Sequence, residues 1–198
     1  MQHCTRTLQM SRYAERGQTV FREYLTGFDG KTAFYHSVAA AGALPAGGAV
    51  GTDVAYLRMP DGITGRILRF GAVFTNQGIG NNLWAGGDTA GTLSLDVLPL
   101  AGAAFANIAN IVWPGAGLPL PANAVPNDAV YENTTVTLAG GTPPYVYAGG
   151  SLFAAYISVA RVVAAGGVQG ECVSFVDFTI DTISPDASAA VAAYLLAL

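Results

Sequence analysis

Short runs of β-branched and aromatic residues recur along the chain from about residue 53, and residues that favour turns separate them. The run 92–98 alternates apolar and polar side chains, as expected for a strand with one buried and one solvated face. Pro60-Asp61-Gly62 is typical of a tight turn, so the runs on either side of it are predicted to form a hairpin. The predicted strands are 53–59, 63–75, 92–98, 134–139, 145–148, 151–163 and 171–183, and 104–113 is either a further strand or a helical turn.

The number of these runs predicts the fold class. About eight short strands with turns between them indicate an all-β protein. An antiparallel chain of this kind completes its core by packing two sheets face to face. With 198 residues the chain is long enough for one such core, and no tandem repeat is visible. We therefore predict a single antiparallel β-sandwich.

The first 50 residues differ from the rest and are interpreted as an N-terminal arm, with the β-sandwich domain occupying 51–198. An apolar group at 20–25 is spaced as on a helix, although an extended arm fits as well. The Ala/Gly-rich stretch 39–51 is expected to be a flexible connection. At the other end, 186–198 is predicted as a short terminal helix or, alternatively, a last strand.

Charge is scarce and unevenly distributed. Only 11% of the residues are charged, whereas about 25% is usual for a soluble domain. Residues 1–31 carry five cations and three acids, a net of +2, and the remainder carries four cations and ten acids, a net of −6. No charge lies between Asp96 and Asp128 or between Glu132 and Arg161. Such neutral surface predicts assembly with other subunits.

The same composition argues against several classes of partner. The neutral tracts are broken by prolines such as Pro114 and Pro143, so no membrane-spanning helix is expected. The first residues lack a signal-peptide pattern, and we expect a protein made in a cytosol. A single lysine and no basic cluster argue against nucleic-acid binding.

The sequence offers no assembled catalytic or metal centre, so no catalytic residue, metal ligand or cofactor is predicted. Both histidines, His3 and His36, lie in the predicted arm, and a base on a mobile arm is poorly positioned. The two cysteines are far apart and are expected to be free thiols. Asp177 and Asp181 could share a strand face as a solvated pair, a structural pair or a calcium contact. A glycosidase pair hidden among the carboxylates stays an alternative.

Large apolar and aromatic side chains of the arm, together with two tryptophans in loops, are the candidate protein-interaction residues. They are Phe21, Tyr24, Leu25, Phe28, Phe34, Tyr35, Trp84 and Trp113. Each tryptophan is alternatively buried against its own loop or projects as a platform on which a sugar could stack.

Three segments carry a resemblance to a known group of proteins. They are 59–70 (MPDGITGRILRF), 91–97 (GTLSLDV) and 147–152 (YAGGSL). In the spacing of its predicted strands and the placement of its glycines, the chain resembles the β-sandwich domains of tailed-phage virion proteins, most of all capsid decoration (cement) proteins. The resemblance covers about residues 53–183. The chain departs from these proteins at the arm and at the proline-bearing loop 114–127. The resemblance implies a jelly roll, commonly a homotrimer, that clamps neighbouring subunits of the major capsid protein without catalysis.

Three functional hypotheses follow from these observations. The first is a capsid decoration protein on the exterior of a virion assembled in the host cytoplasm, with a detachable arm that grips a neighbouring subunit. The second is a sugar-binding receptor-recognition module of a phage tail or head fibre, with Trp84 or Trp113 as the stacking platform. The third is a carbohydrate-active enzyme that depends on one of the aspartates.

Overall fold

The computed structural model describes residues 19–27, 32, 34–37, 41–42, 44, 53–75, 91–102, 104–113, 130–160 and 171–183. Residues 75, 113, 182 and 183 are described by their backbone alone.

Ten β-strands make up the regular structure of these residues. They are β1 (Val20–Tyr24), β2 (His36–Ser37), β3 (Val54–Arg58), β4 (Ile63–Thr75), β5 (Gly91–Leu98), β6 (Ala106–Trp113), β7 (Val130–Asn133), β8 (Tyr145–Ala148), β9 (Leu152–Val159) and β10 (Glu171–Ile183). Within the described ranges there is no helix that could span a membrane.

The strands form two antiparallel sheets. Sheet A has the order β1-β10-β4-β7, with β2 also paired to β10 and β8 also paired to β4. Sheet B has the order β3-β9-β5-β6. Every strand pair is antiparallel. The predicted all-β antiparallel sandwich is therefore confirmed.

The hydrophobic core lies between the two sheets and comes from alternate residues of their long strands. Alternation places every second side chain of a strand on the same face, and the apolar face of each sheet is buried against the other. Its members on the long strands include Ile67, Phe70, Phe74, Val176, Phe178, Leu93, Leu95, Val97, Phe153 and Ile157, all buried.

The turn at Pro60-Asp61-Gly62 does not close a hairpin, so that prediction is wrong. β3 pairs with β9 in sheet B, whereas β4 pairs with β10, β7 and β8 in sheet A. The turn therefore carries the chain from one sheet to the other. Gly62 adopts a φ of 80°, which a turn glycine tolerates. The Gly150 amide donates a hydrogen bond to the Met59 carbonyl at 3.0 Å and holds the turn in place.

Part of the segment interpreted as an arm belongs to sheet A. β1 pairs with β10 over all five of its residues, and β2 pairs with β10 near Cys172. The apolar group at 20–25 is thus extended and not helical. The proposed terminal helix at 186–198 and most of the connection at 39–51 lie outside the described residues.

The predicted strand at 134–139 is wrong, and its place in the sheet is taken by β7 at Val130–Asn133. Residues 134–138 instead run between the two sheets. The Thr137 amide donates to the Ile108 carbonyl at 2.9 Å, and the Tyr145 amide donates to the Val136 carbonyl at 2.7 Å. The segment therefore has backbone hydrogen bonds without belonging to a strand.

Both sides of the sandwich are bridged. On one side Thr26, two residues after the end of β1, exchanges backbone hydrogen bonds of 3.1 and 2.7 Å with Tyr56 of β3. On the other side the Asn133 side chain of β7 donates to the Asn110 carbonyl of β6 at 2.9 Å. These bridges tie the edges of sheet A to those of sheet B.

Candidate functional site

A row of alternating charges crosses the outer face of sheet A. The Arg22 guanidinium donates to both carboxylate oxygens of Asp177, at 2.7 and 2.9 Å. Arg69 approaches Asp177 at 3.5 Å and donates through Nη1 to both oxygens of Glu132, at 2.9 and 2.8 Å. Two cations and two carboxylates therefore neutralise each other along β1, β10, β4 and β7.

The second carboxylate of β10 that the sequence analysis singled out has its own arginine. Asp181 accepts hydrogen bonds from Arg66 at 2.7 and 3.2 Å. The Arg66 hydrogen bond lowers the pKa of Asp181. Asp177 and Asp181 thus belong to two separate ion pairs, which agrees with a structural pair rather than with a shared cation site.

A cleft of about 450 Å³ opens beside the charge row. Its volume is within the range of small-ligand pockets. The charged groups on its wall, Arg69 and Asp177, are already paired with each other or with their neighbours. The lining consists of Val20, Leu68, Arg69, Thr134, Pro143, Pro144 and Asp177.

A second polar network covers part of the outer face of sheet B. The Asn107 amide donates to Asp96 Oδ1 at 2.8 Å, and the Tyr156 hydroxyl donates to Asp96 Oδ2 at 3.3 Å. The pKa of Asp96 is raised above its ordinary value, because burial disfavours the charged carboxylate more than these two hydrogen bonds favour it. Burial and the neighbouring carboxylate raise the pKa of Tyr156 to about 12, so the phenol is protonated and can donate.

The network continues along the same face through amides and hydroxyls. Asn107 and Asn110 exchange reciprocal hydrogen bonds between their side-chain amides, both of 3.1 Å. Ser94 lies 2.7 Å from Asn110 Oδ1 and 2.6 Å from the Ser158 hydroxyl. The amide oxygen of Asn110 can only accept, so the single hydroxyl hydrogen of Ser94 goes to Asn110, and Ser94 accepts from Ser158. The two amides are exposed, whereas Ser94 is buried beneath them.

Exposed valines adjoin this network at the end of sheet B. The strand register places Val112 of β6 and Val159 of β9 on either side of Thr92 of β5. Val112 is 39% exposed and Val159 is 52% exposed. The outer face of sheet B therefore carries the two amides and, next to them, two exposed valines.

His36, one of the two histidines considered as a catalytic base, is buried in sheet A. Its Nε2 lies 3.1 Å from the Ser174 hydroxyl, and its ring packs edge-on against Phe34. Burial lowers the pKa of His36 to about 3, so the ring is neutral at physiological pH. Cys172, its register partner on β10, is fully buried, and burial raises the pKa of its thiol. A buried thiol of this kind is unreactive.

Metal ligands do not converge in the part of the chain that the structure describes: no three His, Cys, Asp or Glu side chains come together there. His3 and Cys4, which are neighbours in the sequence, lie outside that part.

Two of the candidate interaction residues pack into the domain itself. Leu25 is fully buried in the core, and Phe21 packs against the core and stacks on Phe178 with ring centroids 5.6 Å apart. Both side chains stabilise the sandwich; Leu25 is absent from its surface, and Phe21 is partly buried.

The other candidates are distributed differently. Tyr24 is 36% exposed and contacts Phe175 edge-on, and Tyr35 is 49% exposed. Phe34 is partly buried against the core. Phe28 and Trp84 lie outside the described residues, and Trp113 ends β6 with its side chain not described.

Sequence reasoning missed both polar networks. The signal that could have found the one on sheet B is the polar residue at every second position of β5 and the two asparagines of β6. Their meeting depends on a β-bulge between Leu95 and Asp96, which brings Asn107 opposite Asp96. A bulge of this kind has no clear sequence mark here, since neither strand has a glycine at that point.

Comparison with known proteins leaves the chain without a family. No protein-family model matches it, and no curated protein matches it. Among solved structures it is similar to a CocE/NonD family hydrolase from Staphylococcus aureus, with 7% identity and a TM-score of 0.38. That likeness covers 86% of this chain and 38% of the hydrolase chain. At this TM-score it carries no argument about function.

Proposed function

We propose that this chain is a non-catalytic structural protein of a tailed-phage particle, a capsid decoration protein that binds neighbouring subunits of the major capsid protein. The observation that carries the proposal is the character of the outer face of sheet A. It presents exposed valines on either side of a charge row that is neutral in sum.

The two exposed valines lie on the strands that pair with β4. Val146 of β8 stands opposite Arg66 and is 66% exposed, and Val130 of β7 stands opposite Val73 and is 51% exposed. Exposed apolar side chains on the face of a sheet favour contact with another protein surface.

The charge row between the valines suits the same use. Its two arginines and two carboxylates already satisfy one another, so covering them leaves no isolated charge to desolvate. Exposed alternating charges also set the register of a protein interface. Together with the low overall charge, this supports assembly with other subunits as the role of the face.

The first experiment is the solution mass of the purified chain by light scattering coupled to gel filtration. We expect a homotrimer of about 61 kDa, three times the 20.3 kDa of one chain. A compact monomer at micromolar concentration would contradict the trimer.

The second experiment is co-sedimentation with empty capsids of the phage that encodes the chain. Val146→Asp and Val130→Asp are expected to weaken attachment at least tenfold, since each replaces an apolar contact with a charge in the covered surface. Val112→Asp, on the opposite face, is the matched control and should attach normally. Equal attachment by all three variants would exclude sheet A as the interface.

A further inference from the structure

The amide pair on the outer face of sheet B has a fixed orientation. The Asp96 carboxylate accepts hydrogen bonds only, so the Asn107 atom 2.8 Å away must be the amide nitrogen. That nitrogen then faces Asn110 Oδ1, and Asn107 Oδ1 faces the Asn110 nitrogen. The network thus fixes the positions of the nitrogen and the oxygen in each of the two side-chain amides.

Among the described residues, this orientation leaves one donor and one acceptor without a partner at the surface. The Asn107 amide nitrogen makes its two shortest contacts to Asp96 Oδ1 and Asn110 Oδ1, at 2.8 and 3.1 Å, and lies 3.3 and 3.4 Å from the Ala109 and Leu95 carbonyls, so it has no hydrogen to spare. Asn110 spends one hydrogen on Asn107 Oδ1, and its second hydrogen has no partner among the described residues. Asn107 Oδ1 accepts that single bond and keeps a second lone pair. The free donor and the free acceptor sit on atoms 3.1 Å apart.

Adjacent hydroxyls of a sugar ring offer the complement of this arrangement. Each hydroxyl can both donate and accept. Two neighbouring hydroxyls that are gauche to each other, as neighbouring equatorial hydroxyls are, have nearly the spacing of the amide pair. One hydroxyl can accept from the Asn110 nitrogen while its neighbour donates to Asn107 Oδ1. A carboxylate can only accept, so it matches the Asn110 nitrogen alone, and a single hydroxyl has to serve both atoms by itself, whereas a vicinal pair offers one hydroxyl to each.

The valines beside the amides supply the second half of a sugar site. Val112 lies two residues after Asn110 on the same face of β6, and Val159 lies across Thr92. A pyranose has hydroxyls at its edge and C–H groups on its face, so it can hydrogen-bond to the amides while its apolar face covers the valines.

We propose that the outer face of sheet B binds the vicinal hydroxyls of a pyranose-containing glycan through Asn107 and Asn110, with Val112 contacting the sugar ring. Asp96 and Ser94 are positioning residues, because they orient the amides from beneath. This inference does not rest on the proposed function, since it uses the opposite face of the sandwich.

The experiment is a glycan array on the full chain, followed by NMR titration with methyl α-D-mannopyranoside and methyl β-D-galactopyranoside. Side-chain amide signals of Asn107 and Asn110 should shift on titration. Cyclohexanol, which has one hydroxyl on a similar ring, is the control ligand and should shift them much less at the same concentration.

Two variants and one control decide the location of the site. Asn110→Asp keeps the acceptor for Ser94 but removes the free donor, and Val112→Ser removes the apolar contact. Each should weaken binding roughly tenfold, the value of one hydrogen bond or one small apolar contact. Val146→Asp on sheet A should bind glycans as the wild type does.

Absence of array binding together with unshifted amide signals would overturn the inference. Binding that survives both Asn110→Asp and Val112→Ser would overturn it as well, since it would place the sugar elsewhere. Val146→Asp is expected to lose capsid attachment but to keep glycan binding. Failure of one proposal can therefore be told from failure of the other.

Discussion

At the scale of single residues, Phe175 shows how the outer face of a sheet can hold a buried aromatic ring. It stands on the solvent side of β10, yet it is fully buried. The Arg22 guanidinium lies 3.9 Å above its ring centroid, and Tyr24 packs against it edge-on. On β4 its register partner is Gly71, whose missing side chain makes room for the ring. Four residues from three strands therefore form one small covered cluster.

Replacing Gly71 with alanine should disturb this cluster. A Cβ at position 71 would overlap the Phe175 ring and force it off its site. We expect Gly71→Ala to lower the free energy of unfolding by about 2 kcal/mol, as overpacking does in well-packed sites. Urea denaturation followed by circular dichroism measures it. In a Phe175→Ala background the same change should cost much less, because the overlap is gone; an equal cost in both backgrounds would show that Phe175 is not responsible.

At the scale of elements, the two longest strands could be predicted to the residue. The sequence analysis placed strands at 63–75 and 171–183, and these are the bounds of β4 and β10. Both are long runs of β-branched and aromatic residues ended by turn residues, so local preference and burial agree. The strand alternative at 104–113 is also correct, with β6 at Ala106–Trp113.

Other features could not be predicted because they depend on partners distant in sequence. The turn after β3 has the residues of a hairpin turn, and only the pairing of β3 with β9 shows that it crosses between sheets. β1 has helix-like spacing, but its backbone hydrogen bonds go to β10, about 155 residues away. The candidate site on sheet B depends on such long-range register at three strands, so its residues could not be grouped from sequence alone.

The pairing of β1 with β10 predicts the effect of shortening the chain. Sequence reasoning interprets residues 1–50 as an arm, which implies that truncation within it leaves the domain folded. Because Arg22 pairs with the nearly buried Asp177, a chain lacking 1–25 should lose at least about 3 kcal/mol of stability or fail to fold.

A chain lacking only 1–18 is the matched control, since it retains β1 and every hydrogen bond of Arg22 to Asp177. It should melt close to the full-length protein in differential scanning calorimetry. Equal melting temperatures for the two truncated chains would show that β1 contributes little to the sandwich.

At the scale of the whole molecule, the bridges on both sides of the sandwich join the two sheets into one unit. Thr26 and Tyr56 connect β1 to β3, while Thr137 donates from the far side to Ile108 of β6. A chain whose sheets are joined at both edges is expected to unfold cooperatively. A change in one buried group of sheet A is therefore expected to alter the stability of the entire domain.

His36 provides such a group, and its titration predicts how the stability of the domain depends on pH. The pKa of His36 is about 3 in the folded chain, because burial disfavours the charged ring, and about 6.5 when unfolded. The neutral ring's contribution is complete above pH 6.5 and is lost as pH falls toward 3. The free energy of unfolding should thus fall by about 1.4 kcal/mol per pH unit below 6.5.

Urea denaturation between pH 7.5 and 5 measures this slope in a range where most carboxylates remain charged. His36→Gln cannot take up the proton but can still hydrogen-bond to the Ser174 hydroxyl, which lies 3.1 Å from the histidine ring. The variant should be less stable at pH 7.5, because ring packing against Phe34 is lost. Its free energy of unfolding should nevertheless change little between pH 7.5 and 5. Parallel slopes for the two proteins would mean that the proton binds elsewhere. If the stability of His36→Gln does not depend on pH in this range, the burial of one ring in β2 determines how far the whole sandwich tolerates acid.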